Sequence, residues 1–157
     1  MAVVAIALMT ALAAIPAGAV ADVVGIWWTP ERDGKIEIMD SSGTVTGRLI
    51  AILRADADKR DDENPDVTLR DRRLLGLTIL QGFKLDADGK WTGGTLYDPK
   101  SGQTYQGALW LDGADRMMMR GFVGISILGR TETLSRVDGP LPATEQPGEP
   151  DLVHMAR

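Results

Sequence analysis

No cysteine occurs in the sequence, and its single histidine, His154, lies near the C-terminal end. Without cysteine the fold has no disulfide and no thiol nucleophile, and a zinc site is hard to assemble, so stability must come from a hydrophobic core. A serine hydrolase needs a histidine held against its nucleophile, and His154 falls in a Pro-rich tail, residues 139–157, that we expect to be disordered. We therefore predict no catalytic residue, no metal and no cofactor.

Positive charge is also scarce, because 17 Lys and Arg residues stand against 22 Asp and Glu residues and give a net charge of −5. Proteins that bind nucleic acid present a basic surface to the phosphates. We therefore do not expect nucleic acid as a partner.

Long apolar runs are missing except at the N-terminus, where residues 1–21 contain no charged residue and end in Ala19-Val20-Ala21. This pattern predicts a secretory signal peptide that is cleaved after Ala21. The apolar run is shorter than the roughly 18 to 20 residues that span a bilayer, and no later segment reaches that length. We expect an exported protein, periplasmic or secreted, with no transmembrane segment in its mature chain.

Five Asp-Gly or Ser-Gly pairs, which supply the positive φ angles of tight hairpins, separate short β-prone segments. The predicted strands cover residues 25–28, 35–39, 44–53, 77–85, 90–97, 103–111, 115–121 and 125–137. Eight hairpin-linked strands without a helical period favour an all-β fold closed into an antiparallel up-and-down β-barrel, because closure removes exposed edges. A flattened or partly open barrel is the alternative.

One β-barrel domain is predicted over residues 22–138. Within it the connection of residues 54–76 is longer than ordinary loops, which marks it as a functional lid or a disordered segment. Its second half has apolar residues near helical spacing after a turn start, so we expect one short helix or 3₁₀ turn there.

Five sequence motifs follow one another along the chain: WWTP, NPD with LR, LLGL, YDPKSG and RGFVGIS. Their combination over residues 24–137 resembles a family of small exported bacterial proteins that is classed as a domain of unknown function. The resemblance implies a lipocalin-like (calycin-like) eight-stranded barrel, and it implies no established activity.

The first strand opens with Gly25-Ile26-Trp27, which is similar to the Gly-x-Trp start of lipocalins and avidin-type barrels. In those proteins a basic residue from the last strand often packs on the Trp ring. The likeness implies that Arg136, or else Arg130, stacks on Trp27 with a cation–π energy of roughly 0.5 to 2 kcal/mol. Such a contact closes the barrel floor and is not a ligand site.

If the first strand runs away from the floor, the links after strands one, three, five and seven meet at the open rim. All the elaborate loop sequence gathers there, and loops held on a rigid barrel are where binding residues usually lie. The predicted ligand-binding residues of the rim and pocket are Trp28, Thr29, Asn64, Asp66, Arg70, Tyr97, Asp98, Tyr105, Met119, Arg120, Phe122 and Ser126. Arg120 is the predicted polar anchor for a ligand head group.

Several of these residues have a structural alternative. Asp66 could cap the turn that follows it, Arg70 could pair with the acidic run of residues 61–63, and the inward apolar residues could fill the core instead of lining a cavity. The inward set is predicted to include Ile38, Ile50, Ile52, Ile79, Leu96, Leu109 and Met117.

The leading hypothesis is an exported, non-enzymatic protein that binds a small, apolar or amphipathic molecule at or inside the open end. The alternative is a cell-envelope interaction module with a solid core, whose rim loops contact another protein or the cell surface. A third hypothesis is a hydrolase that uses a pair of carboxylates, Glu31 with Asp66 or Asp98. A cavity at the rim would favour the first.

Overall fold

The computed structural model describes residues 23–53 and 59–137, so the predicted signal peptide and the Pro-rich tail lie outside the described residues. Over these ranges the chain forms eight strands and two short 3₁₀ turns. The strands are β1 (Gly25–Trp28), β2 (Gly34–Ser41), β3 (Thr44–Ile52), β4 (Thr78–Leu85), β5 (Trp91–Asp98), β6 (Gln103–Leu111), β7 (Arg116–Phe122) and β8 (Arg130–Arg136). The 3₁₀ turns are Val67–Leu69 and Ser126–Leu128.

Each strand pairs antiparallel with the next along the chain, and β8 returns to β1, so the sheet closes into a barrel. The closing seam is short and joins Trp27 to Arg136 and Trp28 to Ser135. This topology confirms the predicted eight-stranded up-and-down barrel, and the closed seam excludes the partly open form.

The last strand begins later than predicted. The sequence predicts extended chain from residue 125 onward, but a 3₁₀ turn occupies Ser126–Leu128, where the amide of Leu128 donates to the carbonyl of Ile125. β8 therefore starts at Arg130. The connection from β7 to β8 is consequently a loop of its own at the rim.

We call the end of the barrel with the β2–β3, β4–β5 and β6–β7 turns the floor, and the opposite end the rim. Large buried apolar side chains pack together in the floor half. They are Val23, Trp27, Ile38, Val45, Phe83, Trp91, Leu109, Met117 and Leu134. The ring Nε1 of Trp27 donates to the carbonyl of Val23 at 2.9 Å, which satisfies its polar atom inside this apolar surrounding.

Arg136 seals the floor. Its guanidinium carbon lies 4.2 Å from the ring centroid of Trp27, and its Nε donates to the carbonyl of Ala114 at 2.9 Å. Gly25 makes room for it: its φ is +138°, and a Cβ at that position would lie 3.0 Å from Nη1 of Arg136. A side chain there would strain the backbone and displace the guanidinium. Arg130, the other candidate partner of Trp27, begins β8 at the rim end.

Candidate functional site: a cavity at the rim

The rim half of the barrel contains a cavity of about 720 Å³. Ligand pockets in proteins commonly enclose about 300 to 1,000 Å³, so this volume suits a small molecule. The inner wall is apolar and is drawn from β2, β3, β4, β5 and β7. Its main residues are Ile36, Leu49, Ile79, Leu80, Leu96 and Met119. Tyr105 of β6 and Leu74 from the long connection complete this wall.

The mouth of the cavity carries charged residues, in contrast to the wall. Six lie there: Glu31, Asp33, Lys59, Asp98, Lys100 and Arg130. A seventh, Glu132, pairs with Met119 across β7 and β8 and places one carboxylate in the otherwise apolar wall. Some of these charges pair with each other, as Nε of Arg130 does with Oε1 of Glu132 at 2.5 Å. A molecule with an apolar body and a polar end would match this division between wall and mouth.

Lys100 crosses the mouth. It lies in the β5–β6 turn, and its Nζ reaches Oε2 of Glu31 at 2.5 Å and Oδ2 of Asp33 at 3.4 Å in the β1–β2 turn. The hydroxyl of Thr29 donates to Oδ1 of Asp33 at 2.8 Å and fixes that carboxylate. We call this group of Glu31, Asp33 and Lys100 the mouth strap.

The mouth strap shifts the pKa values of its members. The hydrogen bond to Glu31 raises the pKa of Lys100, against the opposing effect of burial. Burial alone would raise the pKa of Asp33, but the hydrogen bond from Thr29 and the charge of Lys100 outweigh it and lower that pKa. Both groups therefore stay charged over a wide pH range.

A second polar cluster holds the long connection onto the barrel. Asp61 is fully buried and accepts hydrogen bonds from the hydroxyl of Tyr97, from Nδ2 of Asn64 at 2.8 Å and from Nε of Arg72 at 2.8 Å. Burial raises the pKa of Asp61, but these three hydrogen bonds together lower it below its ordinary value. Burial and the adjoining Asp61 carboxylate raise the pKa of Tyr97. The cluster fixes Tyr97 at the cavity wall.

The motifs that contain Asn64-Pro65-Asp66 and Tyr97-Asp98-Pro99 meet in space. Gly102, at the end of the second motif, packs so closely on the first that a Cβ there would lie 1.9 Å from the carbonyl oxygen of Glu63. Its φ of +69° also favours glycine. The two motifs therefore build one joint wall of the rim.

Six of the predicted ligand-binding residues line the cavity: Thr29, Tyr97, Asp98, Tyr105, Met119 and Phe122. They come from β5, β6 and β7 and from the β1–β2 turn, and the barrel brings them together. Ser126 belongs to the 3₁₀ turn of the β7–β8 connection.

Trp28 and Arg120 lie on the outer surface and not in the pocket. Successive side chains of a strand point to opposite faces of the sheet. Trp27 faces the core, so Trp28 faces outward, and Met119 faces the cavity, so Arg120 faces outward. The ring of Trp28 is covered by Arg32 and Lys35, whose charged groups lie 5.0 and 4.7 Å from its centroid. Ile50 likewise lies outside the cavity lining, since its neighbours Leu49 and Ala51 are buried. The prediction of Arg120 as an inner anchor was therefore wrong.

Asp66 and Arg70 have structural roles, and Asp98 has one in addition to lining the cavity. Asp66 caps the 3₁₀ turn and accepts from the amide of Thr68 at 2.9 Å. Arg70 donates from Nε to the carbonyl of Asn64 at 2.8 Å. Asp98 accepts from the amide of Lys100 and from the hydroxyl of Ser101 within its own turn. The carboxylates nominated for a hydrolase are thus engaged in a cap, a turn and the mouth strap.

Sequence reasoning missed several lining residues, above all Ile36, Leu49 and Lys100. Counting back by two along β2 from Ile38, which the sequence predicts to face inward, would have found Ile36. Nothing in the sequence pairs Lys100 with a carboxylate 69 positions earlier.

Among the residues that the structure describes, no three His, Asp or Glu side chains group as a metal site, and no helix there could cross a bilayer.

Comparisons with known proteins agree with this architecture. A family described as "Uncharacterized protein conserved in bacteria (DUF2147)" matches residues 25–136. Among solved structures the barrel is similar to protein HP1028 from the human pathogen Helicobacter pylori, described as belonging to the lipocalin family. The two share 20% identity with a TM-score of 0.67, over 78% of this chain and 94% of that chain, which establishes a lipocalin-like fold. No curated protein matches the sequence.

Proposed function

The chain belongs to the DUF2147 family of uncharacterised bacterial proteins, and from that premise we propose that it is exported and binds a small amphipathic molecule in the rim cavity. The proposal rests on one observation: a cavity of about 720 Å³ has an apolar wall and a charged mouth. Apolar surface that leaves water for such a wall supplies binding energy, and a few polar groups at the mouth orient the ligand.

The cavity favours ligand binding over an interaction module with a solid core. The core is not solid throughout, because five of its buried residues also line the cavity: Ile36, Leu49, Leu74, Leu80 and Leu96. The lipocalin-like fold adds support by analogy, since barrels of this size can hold one small ligand.

Export is the second part of the proposal. It is supported by the uncharged, apolar residues 1–21 with their small-residue end at Ala19-Val20-Ala21. Cleavage after Ala21 would begin the mature chain at Asp22, just before β1 starts at Gly25. N-terminal sequencing of the protein recovered from the periplasm and medium of a bacterial host tests this, and an intact Met1 would contradict it.

Native mass spectrometry of the exported protein tests the binding itself. We expect a discrete non-covalent adduct that denaturation releases, either as purified or after incubation with a lipid extract. Met119→Trp should weaken the adduct, because the larger side chain narrows the cavity. Met118→Trp is the matched control, because Met118 is on the outer face and contacts Thr133. A bare mass for the wild type under both conditions, or equal adducts in both variants, would refute binding in this cavity.

A further inference from the structure

The β7–β8 connection exposes an unusual amount of apolar surface. Within residues 121–129, Val123 is 70% exposed, Ile125 62%, Ile127 80% and Leu128 78%. Large aliphatic side chains are rarely so exposed in a group, and a cluster of them marks a surface that meets something apolar. We call residues 121–129 the apolar tip.

The fold holds the apolar tip in this exposed arrangement. Arg120 donates from Nη1 to the hydroxyl of Thr131 at 2.8 Å and from Nη2 to the carbonyl of Ile127 at 3.1 Å. Its guanidinium thereby ties the 3₁₀ turn to the end of β7. The aliphatic side chains are presented outward on this support.

Charge along the connection follows a pattern that suits a membrane surface. Residues 121–129 contain no charged residue, and arginines flank them at positions 120 and 130. The side chain of Arg130 is 87% exposed. Apolar segments that enter the interface of a bilayer are commonly flanked by cations that stay at the level of the phosphates.

Other exposed apolar residues of the barrel do not share this pattern. Val67 is 68% exposed and Leu69 is 40% exposed, but these two side chains lie directly between the charged residues Asp66 and Arg70 and form no larger uncharged cluster. Clustering without charge therefore distinguishes the apolar tip from ordinary surface.

We propose that the apolar tip docks on a phospholipid bilayer and brings the mouth of the barrel to the membrane surface. A protein partner, including a second copy of this chain, needs a complementary face, and stable interfaces bury more than about 1,000 Å². Residues 121–129 at the end of one loop offer a narrow tip and no such face. Lipid tails need no matching shape. The net charge of −5 disfavours long-range attraction to anionic lipid, so insertion of the aliphatic side chains drives the docking.

Docking would also serve the cavity, because Phe122, Val123 and Leu128 line its mouth as well. An amphipathic ligand could pass between bilayer and barrel along this apolar edge. The docking itself does not depend on the proposed ligand binding, since Ile125 and Ile127 lie outside the cavity lining.

The absence of cysteine allows a direct test by site-specific labelling of the exported protein. Ile127→Cys at the apolar tip and Ala87→Cys in the β4–β5 turn at the floor would each carry an environment-sensitive fluorophore. Adding phosphatidylethanolamine–phosphatidylglycerol vesicles should shift the emission at position 127 to the blue and leave position 87 unchanged. No shift at 127, or equal shifts at both positions, would overturn the proposal. A shift at 127 that grows with protein concentration without vesicles would overturn it in favour of self-association.

Vesicle flotation of unlabelled protein gives an independent measure. The double variant Ile125→Ser with Ile127→Ser should lower partition to the vesicles by roughly tenfold or more, because two aliphatic side chains no longer enter the bilayer. Val67→Ser is the matched control and should float like the wild type. Equal partition of the double variant and the wild type would contradict the assignment. The double variant should keep the adduct seen in native mass spectrometry, so loss of docking and loss of ligand binding can be told apart.

Discussion

Nζ of Lys100 lies 2.5 Å from Oε2 of Glu31, although 69 positions separate the two residues in the sequence. The β1–β2 and β5–β6 turns that carry them lie on opposite sides of the eight-stranded barrel. The ion pair therefore crosses the open end above the cavity. A ligand of any size that enters the cavity must pass beside this contact or break it.

Replacing Lys100 by methionine should make the cavity easier to enter and leave. Lys100→Met removes the charge that joins the two turns, and we expect ligand association and dissociation to accelerate together while the equilibrium affinity changes little. The unfolding free energy should fall by no more than about 1 kcal/mol, since the ion pair is exposed. Stopped-flow fluorescence with a bound apolar probe measures both rates.

Arg116→Met is the matched control for Lys100→Met. Arg116 forms a similarly exposed ion pair with Asp112, but at the floor, far from the mouth. Arg116→Met should leave the rates of ligand association and dissociation unchanged. If Lys100→Met left the rates at wild-type values, or if both variants accelerated them equally, the mouth strap would have no role in access.

The mouth strap should also give ligand exchange a defined pH dependence. Asp33 has a lowered pKa. Its attraction to Lys100 in the mouth strap is therefore fully present above the ordinary Asp value of about 3.9 and is lost as the pH falls through the lowered value. Lys100 has a raised pKa. Its attraction to Glu31 and Asp33 is therefore fully present below about 10.4 and is lost as the pH rises through the raised value. Exchange rates should be flat between about pH 3.9 and 10.4 and rise outside that window. A Lys100→Met profile with the same two rises would show that other groups cause them.

Asp61→Asn should destabilise the protein by about 3 kcal/mol, the scale for removing one member of a buried, hydrogen-bonded ion pair. The variant leaves Arg72 without its carboxylate and sets an amide against the donating Nδ2 of Asn64. Because the pKa of Asp61 is lowered in the fold, the difference from wild type should be full at neutral pH. It should shrink as the pH falls below about 3.9. Urea unfolding at several pH values measures it.

Asp62→Asn provides the comparison for Asp61→Asn. Asp62 is the neighbouring residue but is exposed, so its variant should stay within about 0.5 kcal/mol of wild type. Equal stability of the two variants would mean that the buried cluster around Tyr97 contributes little.

The barrel was predictable because its signals are local. Asp-Gly and Ser-Gly pairs mark the turns. The contact of Arg136 with Trp27 was expected only from the similarity of Gly25-Ile26-Trp27 to the first strand of lipocalins. The inner face of each strand was harder to assign. Register shifts occur between Lys35 and Ile36 and again along β3, and each breaks a simple count of inward residues. Alternation nevertheless forbids adjacent Trp27 and Trp28 from both facing inward, so that error was avoidable.

The polar contacts of the site were not predictable from one sequence. Asp61, Asp62 and Glu63 form a continuous acidic run, and only the fold distinguishes the first, which is buried against Tyr97, from its exposed neighbours. The same holds for Lys100, whose partners come from a distant turn. Long-range pairs of this kind depend on which turns the barrel brings together, and local patterns do not encode that.

Gly102→Ala tests whether the two rim motifs depend on their close contact. Gly102 and Gly113 both have positive φ, +69° and +84°, so alanine strains the backbone at either position by about 1 to 2 kcal/mol. Only at Gly102 does the new Cβ meet another chain segment, the carbonyl of Glu63 at 1.9 Å, whereas nothing lies within 4 Å at Gly113. Gly102→Ala should therefore lose clearly more unfolding free energy than Gly113→Ala and also weaken ligand binding, because the rim wall must move. Equal losses in urea unfolding, with unchanged binding, would show that the contact between the motifs is dispensable.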